Sequence, residues 1–253
     1  MASTAERSPE DRAPFLEIKG LTKLFGGVRA VEQVDFSMAA EEMRCIIGPN
    51  GCGKTTLFNL ITGYLPPTSG NITFLGRDIR GLSLHEIARA GLVRKFQVPS
   101  VFPGLTVAAN VESACHSRGN RAGRAKSSEQ ERLIAMVRLD RLRDQLAGTL
   151  SHGQKQWLEL AMVLATAPLL VLLDEPAAGM TKAEKAETVR LLDDIRRETS
   201  IGALVIEHDM DFVAALDCPV SVMMMGRMVA SGRYAEVREN PQVREAYLGP
   251  AHG

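Results

Sequence analysis

Met43–Arg44–Cys45–Ile46–Ile47–Gly48–Pro49–Asn50–Gly51–Cys52–Gly53–Lys54–Thr55–Thr56–Leu57 decides how this chain folds. The first five residues read as a short strand running straight into glycines, and Leu57, Leu60 and Ile61 then repeat at helical spacing. Gly48 to Thr55 fits the pattern GxxxxGK[ST], and strand, glycine loop and helix are the context that a phosphate-binding loop requires. Glycines let successive backbone N–H groups turn toward one centre and approach phosphate oxygens without a Cβ in the way. The following helix points its positive end at the same anion. Lys54 is placed to bridge β- and γ-phosphates and the Thr55 hydroxyl to ligate Mg²⁺, with Thr56 a second hydroxyl near the α- and β-phosphates. Gly48, Pro49, Asn50, Gly51, Cys52, Gly53, Lys54, Thr55 and Thr56 therefore form the candidate ATP-binding run.

Further along, Leu169–Leu170–Val171–Leu172–Leu173 is a continuous apolar run ending in Asp174–Glu175, as expected for a strand covered on both faces. Open α/β sheets place their ligand crevice at the carboxyl ends of such strands. Adjacent strand residues point to opposite faces, so the two carboxylates can reach different atoms. Asp174 is assigned to the metal and Glu175 to polarising the attacking water. His208 follows the next buried run, Ala203–Leu204–Val205–Ile206, and emerges at the same edge, where it can donate to the γ-phosphate and orient Glu175.

Around these motifs, Phe15 to Ile18 and Val34 to Met38 alternate apolar and polar residues like half-buried antiparallel strands, and Gly70 to Gly76 reads as a hairpin. Val189, Leu192 and Ile195 mark a helix between the two buried strands. The alternation of strand and helix predicts an α/β fold with a mainly parallel core sheet. From Pro99 to Ala167 the character becomes helical, which predicts an inserted helical lobe at about 98–167 within one unit over 15–253. The charged stretch from His116 to Arg132 has arginines but also Glu129 and Glu131 and no aromatics, the pattern of a solvated face or loop and not of a nucleic-acid patch.

The 253 residues carry 30 basic and 30 acidic side chains, so the net charge gives no reason to expect nucleic acid as a partner. Cys45, Cys52, Cys115 and Cys218 form no CxxC pair, which argues against a disulfide framework or a zinc site. The most apolar stretch, Met162 to Leu173, is broken by Pro168 and falls short of the roughly 20 residues needed to span a bilayer. Residues 1–14 mix acids, bases, Ser and Pro and read as a disordered tail.

Leu150–Ser151–His152–Gly153–Gln154 contains a capping box, S/T-x-x-E/Q, opening a helix with Trp157, Leu160, Ala161 and Leu164. Its helix end, the Ser151 hydroxyl and the Gly153 N–H make a second anion site. Trp157 reads as packing.

In this order the motifs resemble the ATP-binding cassette (ABC) ATPase family over nearly the whole chain after the tail. The resemblance implies a P-loop ABC ATPase fold with an antiparallel β subdomain beside the core sheet and the helical subdomain. It implies that Phe25 stacks on adenine and that Gln97, in Arg94–Lys95–Phe96–Gln97, touches Mg²⁺ and the water. Ser151, His152, Gly153 and Gln154 then close on ATP held by a second ABC ATPase subunit, identical or different, in a head-to-tail dimer. Further implied partners are two integral membrane permeases and, indirectly, an extracytoplasmic solute-binding protein, with the chain peripheral at the cytoplasmic face of the membrane. Two departures stand out: His152 replaces the family's usual glycine, and Ala177–Ala178–Gly179–Met180–Thr181 lacks the usual Ser-Ala-Leu-Asp. The latter, with Glu207–His208–Asp209–Met210 and Ala246–Tyr247–Leu248–Gly249, resembles the branched-chain amino acid importer group. Leu150 to Glu159 and Arg94 to Gln97 are most similar to ATP-binding subunits of urea importers, so urea is the solute implied and branched-chain amino acids the alternative. A soluble ABC ATPase outside transport is the rival of another class.

Overall fold

The computed structural model describes residues 14–95, 100–116 and 123–248. The chain opens with β1 (Leu16–Phe25), β2 (Val28–Met38), β3 (Met43–Ile47) and α1 (Lys54–Ile61). Next come β4 (Ser69–Phe74), β5 (Arg77–Asp78), α2 (Leu84–Arg89) and β6 (Leu92–Lys95). Three helices follow: α3 (Val107–His116), α4 (Gly123–Met136) and α5 (His152–Ala165). The chain returns through β7 (Leu170–Asp174), α6 (Lys182–Glu198), β8 (Gly202–Ile206) and α7 (Met210–Leu216). It finishes with β9 (Val220–Met224), β10 (Arg227–Gly232), α8 (Tyr234–Val237) and α9 (Pro241–Leu248).

Two sheets organise these elements. The larger runs β10-β9-β3-β8-β7-β6, parallel except for the edge strand β10, and the smaller runs β2-β1-β4-β5 and is antiparallel. Strands of the larger sheet bury both faces, which is why Leu170 to Leu173 reads as an unbroken apolar run. Leu170 and Leu172 pack toward α1 and the smaller sheet, while Val171 and Leu173 pack toward the helical lobe. Ile46 against Cys45 and Ile47, and Leu204 and Ile206 against Val205, divide the same way. In the smaller sheet the alternating segments pair as expected, with Leu16 opposite Met38 and Ile18 opposite Phe36. The Gly70 to Gly76 segment supplies β4 and the turn into β5, with Leu75 and Gly76 at φ 52° and 73°.

The mainly parallel core, antiparallel sheet and inserted helices match the architecture read from the sequence. Helices α3, α4 and α5 pack on one another, and a Thr106–Leu146 bridge ties their connections together. Part of the charged stretch is α4, a helix and not a loop. Strands β9 and β10 carry no expectation from the sequence and complete the larger sheet beside β3. The four cysteines are free and buried, with Cys45 and Cys218 Sγ atoms 3.5 Å apart. No helix among the described residues is long and apolar enough to cross a membrane. The tail over 1–14 lies outside the described residues but for Pro14, as do Gln97 and residues 117–122 of the His116–Arg132 stretch.

Candidate nucleotide site

The phosphate loop runs from the carboxyl end of β3 into α1, and backbone carbonyls of neighbouring strands are the nearest groups to Gly48 and Gly53. Gly53 is the N-cap of α1 at φ 109°, and a Cβ there would lie 2.2 Å from the Ala30 carbonyl oxygen of β2. A Cβ on Gly48 would lie 2.1 Å from the Met223 carbonyl oxygen of β9. Gly226 N–H donates to the Cys52 carbonyl at 2.9 Å, so β2, β9 and the turn after β9 clasp the loop from three sides. Gly51, at φ 78°, faces open space instead. The Lys54 ammonium folds back over the loop and donates to the Gly48 and Pro49 carbonyls at 2.7 and 2.9 Å. Cys52 is buried beneath it, and burial pushes its thiol up, away from reactive thiolate. Thr55 is exposed and Thr56 half-buried on the first turn. Among the described residues no side chain caps α1, and its first turn holds no acid. That leaves a helix end with orphan N–H donors, a cation and hydroxyls, a donor set that suits a polyphosphate.

Asp174 ends β7, 5% exposed, and its Oδ2 accepts from Arg94 Nη2 of β6 at 2.5 Å. The same guanidinium donates through Nη1 to Asn59 Oδ1 at 2.5 Å and lies over the Phe58 ring. Asn59 sits one helical turn beyond Thr55, so Arg94 draws Asp174 and the Thr55 face of α1 together. Glu175 leaves the strand at φ 47°, a left-handed conformation that turns it out of the sheet, with its N–H held by the Ile206 carbonyl at 2.9 Å. Its Oε1 then lies 3.4 Å from His208 Nδ1. Behind them is Glu207, 1% exposed, whose carboxylate accepts from Ala177 N–H at 2.9 Å and His208 N–H at 3.1 Å. Burial pushes the Glu207 carboxyl above its ordinary value, against those backbone donors. Among the described residues no three His, Cys, Asp or Glu converge as a metal cage; the Thr55 hydroxyl and the Asp174 carboxylate are oxygen groups of the kind that could hold Mg²⁺ together with phosphate oxygens.

Ser151 is the N-cap of α5 in a complete capping box: its Oγ accepts from Gln154 N–H at 3.2 Å, and Gln154 Oε1 accepts from Ser151 N–H at 2.9 Å. His152 is exposed and packs its ring over Gly179, while Gly153 is buried. Trp157 Nε1 donates to Thr188 of α6 at 2.9 Å, the packing role read from sequence. Phe25 is 47% exposed at the β1–β2 turn, with Lys23 over its ring. Ala30 of the same hairpin abuts Gly53, so the hairpin tip lies beside the phosphate loop.

The ABC transporter family model matches residues 31–178, more than half of the chain. This chain belongs to the ABC transporter ATP-binding proteins. The model of the branched-chain amino acid ATP-binding cassette transporter also matches residues 227–250. BraF of Pseudomonas aeruginosa, a high-affinity branched-chain amino acid transport ATP-binding protein, is 39% identical over 94% of this chain and 99% of its own. LivG of Escherichia coli K12, of the same description, is 36% identical over 94% and 99%. An ATP-binding cassette of an ABC transporter, solved in its ADP conformation, superposes with a TM-score of 0.81 at 29% identity, covering 94% of this chain and all of that one. The ATP-binding subunit therefore binds and hydrolyses ATP, and its type is that of the branched-chain amino acid transporters. These relatives are named for transport of branched-chain amino acids, the alternative solute, and not of urea. Arg94, Asn59 and Glu207 are not among the candidates that the sequence offers; only the strand-end position of Glu207, next to His208, gives a signal.

Proposed function

We propose that this chain is the ATP-driven motor of an importer for branched-chain amino acids, docked to membrane permeases and paired head-to-tail with a second ATPase subunit. The observation that carries the motor is the convergence of Lys54, Asp174 and the Glu175–His208 pair at the carboxyl ends of β3, β7 and β8. Residues 15–253 act as one unit, with 98–167 as its helical subdomain. Lys54 shifts from its two loop carbonyls to the β- and γ-phosphate oxygens of ATP, and the α1 N–H groups hold the same phosphates. Bound Mg²⁺ would neutralise phosphate charge, held by the Thr55 hydroxyl and Asp174 Oδ1, with Gln97 assigned beside them. Glu175 accepts the proton of the attacking water, and His208 orients it and donates to the γ-phosphate. Phe25 stacks on adenine. Ser151, His152, Gly153 and Gln154 complete the site of the partner, so closure is a population shift driven by contacts to the γ-phosphate.

Glu175→Gln is expected to keep ATP binding while hydrolysis falls roughly 100- to 10,000-fold. Hydrolysis at the ordinary rate would overturn the role of Glu175. The solute is tested with the assembled transporter in vesicles, by uptake of labelled leucine against labelled urea. The second reading, urea, is favoured by Leu150 to Glu159 and Arg94 to Gln97, and urea uptake without leucine uptake would select it.

A further inference from the structure

Glu184 stands one turn into α6, and its carboxylate is shared between two helix starts. Oε2 accepts from the Thr181 N–H at 3.0 Å and the Thr181 hydroxyl at 2.9 Å, closing the capping box of α6. Oε1 accepts from the Ser151 hydroxyl at 2.9 Å, across 33 residues of chain. The same oxygen lies against the second residue of α5: a Cβ on Gly153 would be 2.7 Å from it. The Thr181 N–H and the Ser151 hydroxyl hold the Glu184 carboxyl below its ordinary value, with a further pull from His152, so it is anionic at neutral pH. A carboxylate of this chain thus sits on the Ser151 hydroxyl and the Gly153 start of α5, the groups assigned above to phosphate in the partner's site.

A serine hydroxyl has one proton. Ser151 Oγ already accepts from Gln154 N–H, and its proton goes to Glu184. An arriving phosphate oxygen can accept but not donate, so it needs that same proton. It also meets a second negative charge beside the helix end, where like charges repel. We propose that Glu184 gates Ser151–His152–Gly153–Gln154, the signature of the family resemblance: it holds the Ser151 hydroxyl in the single chain and competes with the γ-phosphate of the neighbour's ATP for it. The competition favours release once the γ-phosphate is lost. It also ties the signature to the segment that follows Asp174 and Glu175, through Thr181, where the usual aspartate of that loop is missing. Trp157 bonded to Thr188 keeps α5 and α6 in register while the carboxylate lets go.

This inference rests on the in-trans reading of Ser151 to Gln154, and the test separates the two. ATP dependence of hydrolysis is measured on the transporter purified with its permeases, for Glu184→Gln, Glu184→Ala and Ser151→Ala. Gln retains the capping-box pattern of α6, whereas Ala loses it, so a shared effect of both reports the charge and not the cap. Both Glu184 variants are expected to lower the KM for ATP about three- to fivefold, the scale of an exposed charge interaction, and the gain is expected to shrink as NaCl is raised. Ser151→Ala is expected to raise KM or lower kcat. An unchanged or raised KM in Glu184→Gln, with Ser151→Ala impaired, overturns the gate alone. Ser151→Ala indistinguishable from wild type overturns the in-trans reading, and the gate with it.

Discussion

Helix α1 starts at Gly53, without a side-chain cap among the described residues, whereas α5 starts at Ser151 inside a complete capping box with the Glu184 carboxylate against it. Both N-termini are candidate phosphate sites. The first is built so that its donors wait for a ligand, with Lys54 parked on two backbone carbonyls that phosphate oxygens can replace. At the second, the Ser151 hydroxyl and the Gln154 N–H are already bonded within the chain, and the hydroxyl is yielded only by exchange. An open helix end can grip ATP tightly in a single subunit, while an end that must exchange partners binds weakly and reversibly. Grip in one place and easy release in the other is what a cyclic motor needs from two sites on one nucleotide.

Removing the cation tests the strong half of that contrast. Lys54→Ala deletes two charge-assisted contacts to phosphate, each worth about 1.5–3 kcal/mol, so affinity for a fluorescent ATP analogue is expected to fall at least about 100-fold. Titration shows it directly, and unchanged affinity would leave the open helix end without its role.

Glycine substitution tests the comparison at the start of each helix. Gly53→Ala drives a Cβ to 2.2 Å from the Ala30 carbonyl at φ 109°, and backbone on both sides of that clash is fixed by β2 and α1. A cost of about 2–4 kcal/mol in unfolding free energy is expected, read from urea titration. Gly153→Ala meets Glu184 Oε1 at 2.7 Å, the far end of a flexible side chain. It is expected to cost about 1 kcal/mol or less and to push the carboxylate aside. Equal costs at the two glycines would show that the signature is as rigid as the loop.

The same contrast explains what could be read in advance. Gly48 to Thr55 is a local device, with every residue next to those it works with, and the buried run before Asp174 marks a two-faced strand by composition alone. Arg94 reaches Asp174 across 80 residues and Asn59 across 35, and a lone arginine on a short strand announces neither. Glu184 reads as the third residue of a capping box and nothing more, because its second partner, Ser151, is brought by tertiary packing. Strand β10 stays half-exposed along its length without alternation, so it has no period to recognise. On the proposed reading the solute binds other subunits and leaves no side chain here to read; short motifs point to urea, whereas the relatives are named for branched-chain amino acids.

The smallest effect concerns acid. Thr181 N–H and the Ser151 hydroxyl hold the Glu184 carboxyl below its ordinary value of 4.5, so the folded chain binds this proton less readily than the unfolded chain does. The stabilisation is complete above that ordinary value and is lost as pH falls through the lower folded value. Glu184→Gln cannot titrate, so its unfolding free energy relative to wild type is expected to be offset by a constant at neutral pH, with the offset closing only below about 4.5. Because the carboxylate is half-solvated, the offset is expected to be about 0.5 kcal/mol or less. Urea unfolding of both proteins from pH 7 to pH 3 measures it. An offset that persists to pH 3 would mean that Glu184 acts through packing, and would remove the charge on which the difference between α5 and α1 depends.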